Sequence, residues 1–238
     1  MSEDKIEQDA TPEEPSPLRL IGTLAIAGLA SGIIIIAIYL ATFETIKENK
    51  ARELRESVFR VLPNVTKMQK LLLKEGKLVV SYEEEKGEEP IYAGYDDSGK
   101  FMGYAIPSDG PGFADTISVL YGYRPADRKV IGMWILASRE TPGLGDKIYK
   151  DAAFVANFDD LAIEPPIVAT KKGKSKPNEI DAITGATISS VAVAKIINKG
   201  NAHWVSKLPE PGNEPAYEEP AEPAAPAASS EAVDTQAP

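Results

Sequence analysis

The sequence predicts an α+β protein: a single N-terminal transmembrane helix followed by an antiparallel sheet with packed helices. Two observations carry this reading. Residues 20–39 (LIGTLAIAGLASGIIIIAIY) form a run of 20 residues without a charge. From about residue 77 to about 138, β-branched and aromatic runs alternate with Gly, Asp and Pro turns, the pattern of consecutive short strands.

Taken in order, residues 1–17 (MSEDKIEQDATPEEPSP) are polar, acidic and proline-bearing, which predicts disorder. The uncharged run lies within an anchor segment at 18–42. At about 1.5 Å per residue it spans roughly 30 Å, the thickness of a bilayer's hydrocarbon core. It is long for a soluble core helix, and no A-x-A cleavage site follows it, so it reads as an uncleaved anchor. In the next stretch (ETIKENKARELRESVFRVL), Ile46, Leu54, Val58, Val61 and Leu62 place an apolar stripe between charges. Pro63 stops that pattern, giving a stalk helix at 43–63.

The domain proper is expected at 64–208. Its strands are KLVVSY, PIYAGY, KFMGYAIP, DTISVLYGYR and KVIGMWILAS, followed by a helix at 146–158 (DKIYKDAAFVANF). A short strand, PIVATKKG, and a second helix at 187–199 complete it. Trp134 and Trp204 read as core residues, the strand tyrosines as structural, and His203 as a surface or packing residue. Residues 209–238 hold seven prolines, eight alanines, six glutamates and no basic residue, a composition too polar to bury a core, so a disordered tail is expected.

Composition removes whole classes of chemistry. With no cysteine, disulfides, thiolate catalysis, cysteine-ligated clusters and CxxCH haem attachment are out of reach. One histidine rules out a His-rich metal site within the chain. A net charge of −10 argues against a nucleic-acid partner. Redox or group-transfer chemistry therefore needs a cofactor held by other groups.

Two stretches are candidates to hold one. Glu140–Thr141–Pro142–Gly143–Leu144–Gly145 follows a strand. As plain structure it is a turn, with Pro142 fixing φ and two glycines relaxing the backbone. As a site, its glycines let a flat or anionic ligand lie against backbone N–H groups. The second stretch, DAITGATISS at 181–190, opens a helix. Asp181 or Thr184 could cap that helix, with Gly185 easing the turn. Thr187 has no His, Lys or Cys close in sequence to activate it as a nucleophile. A phosphate ester on its Oγ1 would instead sit at a helix N-terminus, which favours an anion, and Gly185–Ala186 would leave room for the attached group.

These motifs, in this order behind one leading span, resemble the FMN-binding domain of the G subunit of the Rnf ion-translocating oxidoreductase, shared with the C subunit of the sodium-pumping NADH:quinone reductase. The resemblance covers roughly residues 18–200. It implies FMN esterified through its phosphate to Thr187, with Asp181, Thr184, Gly185 and Ala186 forming the signal read by a flavin transferase. It also implies that residues 140–145 lie near the isoalloxazine ring. Ser138–Arg139 stand where members of the family often carry a histidine before this loop, so no proton role passes to that position.

The implied function is electron transfer within a membrane-bound, ferredoxin/NAD-linked complex, alongside other membrane subunits, with no independent catalysis by this chain. The alternatives are a stand-alone anchored flavoprotein and a non-redox anchored module whose motifs are only turns. The resemblance places the flavin domain on the outer face of the cytoplasmic membrane. The positive-inside rule points the other way, since Lys5 and Arg19 precede the span while Lys47, Lys50, Arg52, Arg55 and Arg60 follow it.

Overall fold

The computed structural model describes residues 16–81 and 89–219. The expectations for residues 1–15 and 220–238 lie outside the described residues. By its internal contacts the chain divides into two units, Met1–Arg52 and Glu53–Pro238.

The first helix, α1 (Pro17–Val61), runs without a break through the segments expected as anchor and stalk. Proline at its first position has the φ a helix needs and no N–H to waste. This helix is long and apolar enough to cross a membrane, and among the described residues its apolar window is exposed. A soluble core helix of that composition would be buried; Leu24, Ile34 and Ile35 are exposed instead.

The second unit is built on an antiparallel sheet. Its strands are β1 (Lys67–Lys74), β2 (Lys77–Val80), β3 (Ile91–Tyr95), β4 (Phe101–Pro111), β5 (Thr116–Arg124), β6 (Lys129–Ala137) and β7 (Leu161–Ala162), in the order β2-β1-β3-β4-β5-β6-β7. Two short helices, α2 (Lys147–Lys150) and α3 (Ala152–Val155), lead through a 3₁₀ turn to β7. A separate parallel pair, β8 (Val168–Thr170) and β9 (Glu179–Asp181), precedes the long helix α4 (Thr187–Trp204).

Both faces of the sheet are covered, which is why β3 is buried at every position. On one face Val193, Ile196 and Ile197 of α4 join Ile106, Val119 and Tyr121. On the other, the last turn of α1 sets Val58, Val61 and Leu62 against Tyr92, Ala105, Leu120 and Ile131. These three side chains are fully buried, each contributing roughly 1.5–3 kcal/mol relative to exposure. The approach is so close that the helix backbone itself meets the sheet. Gly122 and Gly132 face each other across β5 and β6. A Cβ on Gly132 would stand 2.6 Å from Val61 O, and one on Gly122 would be closer still. Two missing side chains make the seat for α1.

Three expectations change. Strand β1 (KMQKLLLK) was not anticipated, because a leucine- and lysine-rich run carries no β signature; it forms through pairing with β2 and β3. The helix expected at 146–158 is broken at Asp151, whose backbone is extended and whose carboxylate caps α3 by accepting from Ala153 N and Phe154 N. Residues 209–219, expected to be disordered, include Tyr217, which packs against the sheet core. Trp204 is buried, while Trp134 is half-buried beneath the Arg60 guanidinium, 4.4 Å from the ring centroid.

Because the atom opposite Gly122 is backbone and has no rotamer to yield, Gly122→Ala should destabilise the domain by about 1–3 kcal/mol. For a domain of this size that is roughly 2–12 °C in Tm, measurable by thermal unfolding of the detergent-solubilised chain. An unchanged Tm would mean that α1 does not press on the sheet.

Candidate functional site

The loop after β6 and the start of α4 are 49 residues apart at their contact, and one carboxylate joins them. Glu140 is buried, 6% exposed. Its Oε1 accepts the backbone N–H of Phe113 (2.8 Å) and Ala114 (2.9 Å), in the turn between β4 and β5. Its Oε2 accepts the hydroxyl of Ser189, in the first turn of α4. Three segments distant in sequence thus meet on one side chain. Burial pushes the Glu140 carboxyl up, but hydrogen bonds, chiefly from Ser189, Ala114 and Phe113, outweigh it and hold it below the usual glutamate value. Both oxygens are occupied, so what Glu140 offers the site is position.

Gly145 is needed for the same closure. A Cβ there would lie 2.5 Å from Glu140 Oε2 and 2.9 Å from Ser189 Oγ. The tip of the loop differs: Thr141, Pro142, Gly143 and Leu144 are exposed, and Gly143 has φ +79° with open space where a Cβ would project. Backbone bonds from Leu144 N and Asp146 N to Thr141 O fold this tip. Asp146 then pairs with Lys150 at 2.6 Å.

The second motif turns sharply before α4. Gly185 has φ +85°, and Ala186 N donates to Ile183 O at 3.0 Å. Ser190 locks this turn from inside, its Oγ accepting Ile183 N (3.1 Å) and donating to Ala186 O (2.9 Å). Ala186 is the N-cap and brings no side-chain hydrogen bond. Neither Asp181 nor Thr184 caps the helix. The Asp181 carboxylate turns to Lys174 N, and its own N–H donates to Asn157 Oδ1 (3.2 Å), which pins β9. Thr184 and Gly185 are exposed, Ala186 is buried, and Thr187 is half-buried. Thr187 Oγ1 makes no hydrogen bond among the described residues.

The two motifs are joined by the Ser189–Glu140 hydrogen bond, and Leu144 Cδ2 lies 3.7 Å from where a Cβ on Gly185 would project. Phe113, Leu144 and Ile188, each presented by one of the three segments that Glu140 joins, are exposed apolar side chains. The arrangement therefore offers a helix N-terminus without a side-chain cap among the described residues, small residues around it, and apolar side chains on segments held by the same carboxylate. A cavity lined by Pro107, Val119, Lys199, His203 and Trp204 contains no residue of either motif. His203 is exposed there, with Nε2 3.1 Å from Glu89 Oε2.

Sequence reading missed Ser189, Ser190 and the Phe113–Ala114 amides. The two serines stand in the quoted motif, and a hydroxyl in the first turn of a helix is a signal. Its partner becomes evident only when the fold brings Glu140 to it.

Replacing Glu140 separates its roles. Glu140→Ala strands two backbone donors and the Ser189 hydroxyl, an expected loss of about 1–3 kcal/mol. Glu140→Gln can keep an acceptor toward Phe113 and Ala114 and donate to Ser189 Oγ, so it should lose less. A depressed folded-state pKa means that the ionised form contributes stability above the ordinary glutamate value of about 4.3, and that the contribution is lost as pH falls through the folded pKa below it. In denaturant titrations followed by tryptophan fluorescence, the wild-type chain should lose stability more steeply in that acid range than Glu140→Gln. Equal slopes would remove the carboxylate from the account.

Comparison with known proteins places this geometry. Residues 112–201, from the β4–β5 turn through most of α4, match the FMN-binding domain family. The G subunit of the proton-translocating ferredoxin:NAD(+) oxidoreductase complex of Clostridium ljungdahlii is 32% identical over 184 residues, covering 77% of this chain and 89% of that protein. The G subunit of the ion-translocating oxidoreductase complex of Methanosarcina acetivorans is 28% identical over 184 residues, covering 76% and 90%. The crystal structure of the C subunit of Na(+)-translocating NADH-quinone reductase from Parabacteroides distasonis shares the fold, with a TM-score of 0.53 at 20% identity over 71% of this chain and 96% of that one. An FMN-binding domain, an extended match to these relatives and a helix able to cross a membrane lead to one assignment: the chain belongs to the family of G subunits of ion-translocating oxidoreductase complexes.

Proposed function

We propose that this chain is the electron-carrying subunit of a membrane-bound, ferredoxin/NAD-linked oxidoreductase complex, and that it holds FMN through a phosphoester on Thr187 Oγ1. The observation that carries this reading is the start of α4, without a side-chain cap and with a Thr187 hydroxyl that has no partner among the described residues, joined to the 140–145 loop by the Ser189–Glu140 hydrogen bond. When bound, the flavin supplies redox chemistry that this chain, with no cysteine and one histidine, lacks.

The residues divide the remaining work. The free N–H groups of the first turn of α4 and its macrodipole favour a phosphate there. Gly185 and Ala186 leave the approach to Thr187 clear. Glu140 and Ser189 keep the loop tip, Gly143 and Leu144 included, against that turn. Leu144, Phe113 and Ile188 offer apolar contact to a flat ring. Thr184 and Asp181 lie at the surface, open to recognition by a modifying enzyme. That enzyme is part of the proposal on chemical grounds: Glu140, the carboxylate that Ser189 ties to the first turn of α4, is held by hydrogen bonds from Phe113, Ala114 and Ser189 and is not free to activate Thr187.

Chain purified from a host with a flavin transferase should carry one FMN that acid and denaturant do not remove, visible as a flavin-phosphate increment in intact mass. Thr187→Ala should lack the increment while unfolding at nearly the wild-type temperature. A Thr187→Ala chain that retained covalent flavin would defeat the assignment.

The proposal also puts the domain on the outer face of the cytoplasmic membrane, because the transferase of the resembled family acts there. The basic residues after the span oppose this orientation. Fusions at Pro238 read it directly: alkaline phosphatase should be active and green fluorescent protein dark. The reverse pattern would put the flavin in the cytoplasm.

A further inference from the structure

The segment after α4 does not leave the domain freely. Beyond Leu208 the chain turns, with Asn213 N donating to Glu210 O at 3.0 Å and Gly212 at φ +95°, and then lies across β1 and β3. There it helps to cover two side chains: Gln69, 4% exposed, and Tyr95, fully buried. Gln69 Nε2 donates to Ala216 O at 3.0 Å, and Gln69 Oε1 accepts Glu218 N at 3.0 Å. Tyr95 Oη donates to Pro215 O at 2.7 Å and accepts from Gln69 Nε2 at 2.6 Å.

The spacing of these contacts is informative. The consecutive carbonyls of Pro215 and Ala216 and the N–H of Glu218 all turn toward the Gln69–Tyr95 pair, so two side chains read three main-chain groups. Proline at 215 is compatible, since only its carbonyl is used. Between the two backbone contacts Tyr217 meets the edge of the Tyr95 ring, with centroids 5.4 Å apart, and Lys67 Nζ stands 5.1 Å from the Tyr217 ring centroid. Glu214 and Glu218 flank this core, and their charge contributes to raising the Tyr95 hydroxyl above its usual value, after the larger effect of burial.

We propose that the β1–β3 end of the sheet is a peptide-binding site, distinct from the Thr187 site, that takes a short segment with a central aromatic residue. Its resident ligand is the chain's own Glu214–Glu218. That segment supplies the acceptor for the Tyr95 hydroxyl and the donor for Gln69 Oε1 while covering both groups from water, which is the energetic reason the site holds a segment of this kind. The segment is held by its main chain and one ring, so the site does not depend on covalent continuity with α4. It accepts the same segment supplied as a separate molecule.

The test uses the full chain in detergent with a protease site inserted between Glu210 and Pro211, where the backbone is exposed. After cleavage the C-terminal fragment should co-elute with the domain. A synthetic peptide spanning residues 212–219 should then displace it. The same peptide N-methylated at Glu218, which removes the one hydrogen that Gln69 Oε1 accepts, should need about a tenfold higher concentration, the effect of one buried hydrogen bond. Because this comparison alters only the peptide, it is independent of how a Gln69 variant folds. Departure of the fragment on cleavage overturns the proposal, whether or not the domain stays folded. Equal displacement by the two peptides also overturns it, since charge alone would then be holding the segment.

Discussion

The candidate site depends on one buried carboxylate. Glu140 receives two backbone N–H groups from the β4–β5 turn and one hydroxyl from α4, so three pieces of chain that share no local order are registered on two oxygen atoms. A buried charge is costly unless its hydrogen-bonding capacity is filled, and here the filling groups come from different elements. The constraint is therefore mutual. The carboxylate remains ionised because the segments converge, and the segments converge because the carboxylate is ionised. Gly145 completes the arrangement by having no side chain where one would strike that junction.

The rest of the domain provides a rigid frame for this junction. A sheet covered on both faces leaves little freedom for the strands that carry the turn at 113–114 and the loop at 140–145. One cover, α4, also presents Thr187 and Ser189, so the helix that closes the core supplies the site. The other cover is the last turn of α1, seated on Gly122 and Gly132 so closely that backbone rests on backbone. The site can therefore combine exposure at its tip with fixed geometry beneath it: Gly143 and Leu144 face solvent while Glu140, Gly145 and Ser189 are buried.

The start of α4 is open to an anion, and the hydroxyl beside it has no activating partner among the described residues. Histidine, the residue used most often for that purpose, occurs once in the chain, at 203.

How much of this could be read from the chain divides along a physical line. An uncharged run long enough for a bilayer, five of the strands of the main sheet and the glycines of both motifs are local properties, set by period, charge and backbone freedom over a few residues. The sequence alone determined these. The strand at 67–74 was not legible, because leucine and lysine favour no strand until partners exist on both edges. The break at Asp151 was not legible either, since a side chain that can continue a helix can equally cap the next one. The fit of Val61 to two glycines, the role of Glu140 and the docking of residues 215–218 on Gln69 all rest on atoms brought together from distant positions. Only the tertiary structure decided them, because a hydrogen bond or a steric seat has no meaning until both of its sides are in place.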